Sequence, residues 1–294
     1  MLKIERILCP TDFSDFSERA FEYGLSLARH YKAELYLLHV VRPVIIGYPE
    51  YAIPDSVNEF YGELREHAEE QLREFAKVHA EGGVQAMVAV EEGVATESIL
   101  DFARENSVDM IVMGTHGRRG VQRLTLGSVT ERVLRKAGCP VLAVRRPSHD
   151  FVAPGSKGEP IQLHKILLCS DFSECSDQAL RYALSLAAEY KSELALVHVL
   201  EHPPAPEQRE AENARVIHLL EGRVPGDAGI CCTIKTIVRA GKPYEEIIKL
   251  AEEDQTDLIV VGVRGRNVLD LALFGSTTHR VLQLGPCPVL AIHA

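Results

Sequence analysis

The chain repeats itself, and no other feature limits its possible folds so sharply. Residues 7–15, Ile-Leu-Cys-Pro-Thr-Asp-Phe-Ser-Asp, return at 166–174 as Ile-Leu-Leu-Cys-Ser-Asp-Phe-Ser-Glu. The register then holds through Leu25/Leu184, Tyr31/Tyr190 and His39/His198 at an offset of 159, and through Gly114/Gly262, Gly127/Gly275 and Cys139/Cys287 at 148. Self-similarity on this scale is a duplicated domain, with copy two 11 residues shorter in its middle. Between the copies, residues 147–160 are rich in Pro, Gly and Ser and read as a linker. The expected organisation is domain 1 over 1–146, linker over 147–163 and domain 2 over 164–294, with the boundary near residue 155.

Each copy alternates short apolar runs with helical periodicity. In copy one the runs 4–9, 34–41, 84–90, 109–114 and 140–144 read as strands. Phe16, Ala20, Tyr23, Leu27 and Tyr31 form one helix face. Phe60, Leu64, Ala68, Leu72 and Phe75 form the stripe of a long helix over about 57–81, ended by Gly82 and Gly83. Shorter helices are expected over 96–105 and 128–137. Copy two repeats this order, with its second helix around 205–222. Strands alternating with helices imply a parallel sheet covered on both faces. Right-handed crossovers make each copy a doubly wound α/β, Rossmann-like domain, whose ligand belongs at the carboxyl ends of the strands where the winding reverses.

Composition removes several function classes. Net charge is −10 and no dense Lys/Arg run occurs, against the basic face that nucleic-acid binding usually needs. No apolar stretch approaches the ~20 residues that span a bilayer, and the opening residues show no signal-peptide apolar core. The expectation is a cytoplasmic protein with no nucleic-acid or membrane partner. Seven cysteines, an odd number with no C-x-x-C pair, read as reduced packed thiols; the vicinal pair Cys231–Cys232 has no neighbours that argue for redox work.

Chemistry concentrates at the strand ends. The fourth strand of copy one runs into Met113, Gly114 and, three residues on, Gly117, followed after nine residues by Gly127 and Ser128. Copy two gives Val261, Gly262, Gly265, then Gly275 and Ser276, so both copies carry G-x2-G-x9-G-S. The first glycines suit a loop leaving a strand end, where glycine permits a positive φ and close ligand approach. Ser128 suits a helix N-cap, with Glu131 completing a capping box. A helix start of that kind presents free N–H groups and a positive dipole end to a phosphate. Taken without a ligand, the same glycines simply make a turn and cap a helix.

The first strand ends in Pro10, Thr11, Asp12, and its counterpart in Ser170, Asp171. Asp12 can accept from a ribose or an adenine amino group, help hold Mg²⁺ on phosphates, or cap the next helix together with Ser14. There is neither G-x-G-x-x-G nor G-x-x-x-x-G-K-[ST]. His39 and His198 read as satisfied core histidines. His116 lies in the loop, beside a phosphate or on a solvated flank, and Arg118, Arg119, Arg123, Arg264 and Arg266 add positive charge. No nucleophile–base pair or metal cluster appears, so the sequence names no reaction.

With these motifs in hand, the chain resembles the universal stress protein family over nearly all its length outside the linker and residues 45–55. The resemblance rests on the glycine loop, on Pro-Thr-Asp-Phe-Ser after the first strand and on Leu38-His39-Val40. It implies five-stranded parallel sheets in adenine nucleotide alpha-hydrolase-like domains and, in the ATP-binding branch, ATP or AMP at this loop. Asp12 would then meet the ribose or base and Val40 would flank the adenine. Met113, Gly114, Gly117, Gly127, Ser128 and Val129 would line the phosphate side. Copy two keeps Asp171, Val199, Gly262, Gly265, Gly275 and Ser276, but places Val263 and Arg264 for Thr115 and His116, and Thr277 for Val129. Mg²⁺ would arrive with the phosphates, and any hydrolysis would be slow and incidental.

The alternative is a family member that holds no nucleotide and works through protein contacts. An adenylyl transferase or ATP pyrophosphatase would need H-x-G-H or S-G-G-x-[DS], and neither occurs. Residues 140–144 and 288–292 each end their copy as a short apolar edge strand, a liability that antiparallel pairing about a local two-fold axis would remove. The expected assembly is an intramolecular pseudo-dimer; a further homodimer and a protein partner are left open.

Overall fold

The computed structural model describes residues 2–42, 55–79, 84–116, 126–145, 150–153, 155, 160–226, 228, 232–263 and 275–293. Copy one contributes β1 (Arg6–Thr11), α1 (Asp15–Tyr31), β2 (Glu34–Val41), α2 (Asp55–His79), β3 (Ala86–Glu92), α3 (Ala95–Glu105), β4 (Met110–Gly114), α4 (Ser128–Lys136) and β5 (Val141–Val144). Copy two follows with β6 (Lys165–Cys169), α5 (Glu174–Tyr190), β7 (Glu193–Leu200), a 3₁₀ turn (Pro206–Gln208), α6 (Arg209–Glu221), β8 (Thr233–Ala240), α7 (Pro243–Glu253), β9 (Leu258–Gly262), α8 (Ser276–Leu284) and β10 (Val289–Ile292).

All ten strands join one sheet, in the order β3-β2-β1-β4-β5-β10-β9-β6-β7-β8. Within each copy every pair is parallel, and the winding reverses between β1 and β4 and between β6 and β9. Successive strand residues serve opposite faces: Ile7 and Cys9 pack with α1 and α2, Leu8 with α3 and α4. Both apolar clusters run without interruption through both copies.

The seam is the β5·β10 pair, the one antiparallel pairing among the described strands. Leu142 lies opposite Leu290, its own counterpart in the repeat, and Val141 and Ala143 lie opposite Ala291 and Val289. A local two-fold axis therefore passes between the two leucines. Side chains clasp the seam reciprocally. Arg145 Nη1 donates to the carbonyls of Gln283 (2.5 Å) and Gly285 (3.2 Å) at the end of α8. Its counterpart His293 donates through Nε2 to Leu134 O (2.7 Å) near the end of α4. Each donor thus meets the negative end of a helix dipole in the other copy.

The stretch read as a plain linker is partly a packed strap. Phe151 and Val152 are buried, and Phe151 meets Tyr23 edge-on at 4.8 Å. Arg19 of α1 pairs with Asp150 (2.8 Å) and Glu22 and donates to Val152 O, while Tyr23 donates to Asp150. Gly155 N donates to Glu22 Oε1 (3.1 Å).

The strand limits move by two residues at two places. β1 runs to Thr11 because its pairing with β2 continues to Thr11↔His39. Pro10 fits there because the β1·β4 pairing covers only Ile7 and Leu8, so its missing N–H falls beyond that ladder. β3 runs from Ala86 to Glu92, two residues later than its apolar run, following the register Leu35↔Ala86 to Val41↔Glu92 at the sheet edge.

Candidate functional site

The β1–α1 turn is built by three short side chains. Thr11 Oγ1 accepts from Phe13 N (3.0 Å), and Asp12 Oδ1 accepts from Ser14 N (3.2 Å) and Ser14 Oγ (2.6 Å). Ser14 then N-caps α1 by accepting from Ser17 N. These bonds hold Phe13 at φ 59°, a left-handed backbone that costs a non-glycine residue about 1–2 kcal/mol. Copy two reproduces the device: Phe172 N donates to Ser170 Oγ (3.3 Å), Ser173 N to Asp171 Oδ1 (3.0 Å), and Phe172 sits at φ 64°. Of the roles open to Asp12, capping the turn is therefore in use, and Asp12 lines the cleft as well.

At the β4 end the glycine loop is closed by backbone and threonine bonds. Gly127 N donates to Thr115 O (2.8 Å), Thr115 N to Val144 O (2.9 Å), and Thr130 Oγ1 to Gly114 O (2.8 Å). Thr278 Oγ1 donates to Gly262 O (2.9 Å) in the same way. The expected cap is corrected here: Gly127, at φ −62° and ψ 138°, occupies the N-cap and Ser128 is the first helical residue. No side chain caps α4, and Glu131 pairs with Arg135 (2.6 Å) instead. Gly275 caps α8 likewise.

Gly114 also has a different reason from the one expected. Its φ is not positive, but a Cβ there would lie 2.7 Å from Phe16 O, so the strand end and α1 pack too closely for any side chain. Gly262 is tight against Cys175 for the same reason, its Cβ falling at 2.8 Å.

These elements enclose a cleft of about 580 Å³ at the carboxyl ends of the copy-one strands, beside the β1/β4 reversal. That is within the range of small-molecule sites. Pro10, Thr11 and Asp12 enter from β1, Val40 from β2, Met113 and Gly114 from β4, and Gly127, Ser128 and Val129 from the start of α4. All nine are residues expected from sequence. Gly117, Arg118, Arg119 and Arg123 lie outside the described residues, as do Arg264, Gly265 and Arg266. In copy two, Ser170, Asp171 and Val199 stand at the ends of β6 and β7, Val261 and Gly262 end β9, and Gly275, Ser276 and Thr277 begin α8.

The lining combines apolar side chains with polar ones. Leu38, Ile99 and Met113 are buried beside half-buried Val40. His39 is bonded, as expected, through Nδ1 to Thr11 O (2.8 Å), but it lines the cleft and packs on Phe13 (4.7 Å) and is not a core residue. His198 repeats that bond to Ser170 O (2.8 Å). His116 is buried, with Nδ1 2.9 Å from Thr115 Oγ1 and its ring on Phe16 (5.0 Å).

Sequence reasoning missed Ser17, Ala95, Ile99, Leu126 and Thr130, together with Arg42, which stands exposed at the mouth. The Thr130/Thr278 match was a readable signal.

In α4, Glu131 N is bonded within the helix to Gly127 O (2.9 Å), whereas helix geometry gives the preceding amides no acceptor inside the helix. The first turn therefore presents N–H groups and the positive dipole end on the cleft's flank. Among the described residues, no group of three or more His, Cys, Asp or Glu could hold a metal ion. No described helix is long and apolar enough to cross a membrane.

The model of the universal stress protein family matches residues 3–145 and again 162–293. The chain belongs to that family. A universal stress protein of Mycolicibacterium smegmatis is 26% identical over 298 residues, covering 97% of this chain and 96% of that one. Universal stress protein MJ0531 of Methanocaldococcus jannaschii is 37% identical over 147 residues, 50% of this chain and 85% of its own. Among solved structures, a universal stress protein from Archaeoglobus fulgidus matches with a TM-score of 0.68 at 23% identity, covering 99% of both chains, and shares the fold. The protein is thus a tandem member with two such domains.

Proposed function

We propose that the copy-one cleft binds an adenine nucleotide, ATP or AMP, and that the protein is a nucleotide-responsive stress or signalling protein of the cytoplasm. One observation carries this reading: apolar side chains, the Asp12 turn and a helix N-terminus line one cleft. The base would lie against Val40, its hydroxyl or amino groups would meet Asp12, and the phosphates would meet the first turn of α4 on the Met113 and Gly114 side. Asp12 is the only carboxylate among the described lining residues. It is the group that would face a Mg²⁺ carried by the phosphates, which would neutralise part of their charge. Copy two would bind more weakly or with another phosphate preference, because Arg264 and Thr277 replace His116 and Val129 in the sequence of its loop.

Two measurements test this. Denaturing natively purified protein should release an adenine nucleotide visible in a mass spectrum, and titration of stripped protein with ATP and AMP should show saturable binding. A protein that carries no nucleotide and takes up none would act through protein contacts instead.

A further inference from the structure

On the local two-fold axis, each half should meet its own equivalent positions, and beside the seam it does. Residue 30 of α1 stands against residue 189 of α5, its counterpart at the 159-residue offset. The two have diverged to opposite kinds. His30 Nε2 donates to Glu189 Oε1 at 2.8 Å, and Glu189 is largely buried, with 9% of its side chain exposed. The next position is tyrosine in both halves and meets the same pair. Tyr31 donates to Glu189 Oε2 (3.1 Å), while the Tyr190 ring stacks on His30 at 4.7 Å and 29°. Position 30 of each half is therefore read twice, by its counterpart and by the other half's tyrosine.

We propose that this diverged pair makes the pairing surface of each half specific for the other half. A copy-one domain paired with a second copy-one domain would bring His30 against His30. Two copy-two domains would bring together two glutamates that the seam partly buries. A contact between unlike residues is complementary in one combination and unfavourable in both like ones, which is how paired surfaces reject wrong partners. With the ring protonated, the unlike contact is a charge-assisted bond. The partner this surface fits is thus the second half of the same chain, and like-with-like association of halves from two chains is selected against.

Full-length variants test this directly, because each single exchange puts a like contact on the axis. H30E creates the glutamate–glutamate contact and E189H the histidine–histidine contact. Each should lower the melting midpoint by about 2 °C or more. The exchange H30E/E189H restores an unlike pair facing the opposite way, with Tyr190 now able to donate to the new carboxylate. It should regain most of the loss. Single variants that melt like the wild type would overturn the proposal. So would an exchange that loses as much as the two single variants together, since that marks positions sensitive to any change. E189Q keeps the size but removes the charge and leaves one acceptor oxygen for the two donors, and should fall between wild type and E189H.

Discussion

Gly114→Ala separates packing from backbone freedom at the end of β4. The position has no positive φ, so alanine meets no conformational barrier. The added Cβ would stand 2.7 Å from Phe16 O, 2.8 Å from Phe16 C and 2.9 Å from Phe16 Cβ. Two of these are backbone atoms of α1, held by Ser14 and by the helix itself, so no flexible group can yield. The strand end and α1 must separate by several tenths of an ångström, and such overpacking costs about 1–3 kcal/mol. At about 2–4 °C per kcal/mol, the melting midpoint should fall by roughly 2–12 °C. Gly138→Ala is the matched control, because its Cβ meets nothing within 4 Å; it should stay within about 0.5 kcal/mol of the wild type. Differential scanning calorimetry on both variants reads the contrast. Equal midpoints for Gly114→Ala and the wild type would refute the steric reasoning.

The α4 entry makes a second contrast. Thr130→Val removes the buried bond to Gly114 O and should cost about 1 kcal/mol in denaturant unfolding, while Ser128→Ala, at a residue that caps nothing, should stay within about 0.5 kcal/mol. Arg42→Glu at the cleft mouth should weaken nucleotide binding several-fold at low salt and less at high salt, read by titration at two ionic strengths. Burial pushes the Cys139 thiol up to about 12 from its ordinary 9.0. The folded protein then keeps a proton that the unfolded chain loses, so the contribution is complete below pH 9 and lost between pH 9 and about 12. Unfolding midpoints in urea should fall as pH rises above 9, and less in Cys139→Ala.

The repeat made most of the fold legible, since alternating strands and helices admit few topologies and a duplicated edge strand invites pairing with its twin. What escaped the sequence depended on contacts distant along the chain. The strap at Asp150–Ala153 is fixed by Arg19 and Tyr23, more than a hundred residues away, and its Pro/Gly/Ser neighbourhood pointed to a free tether. Nine cleft residues were readable because strand ends at the winding reversal form a crevice whatever their side chains. The capping box misled because Ser-x-x-Glu fits a helix start in either register. The carbonyl that accepts from Glu131 N belongs to Gly127, and only the backbone shows it. His39 was read as core because a strand of apolar neighbours conceals which residue reaches the strand end.

Titration of Ser128→Asp tests most directly whether the α4 terminus receives phosphate. A carboxylate in a helix's first turn favours the folded state through the helix dipole, so the variant should melt no lower than the wild type. It also places a negative charge where the phosphates would lie. Wild-type protein should bind ATP and AMP, whereas Ser128→Asp should lose ten-fold or more in affinity for ATP, about 1.4 kcal/mol, and keep its affinity for adenosine. Unchanged ATP affinity in a well-folded Ser128→Asp protein would contradict the assignment of the phosphate site.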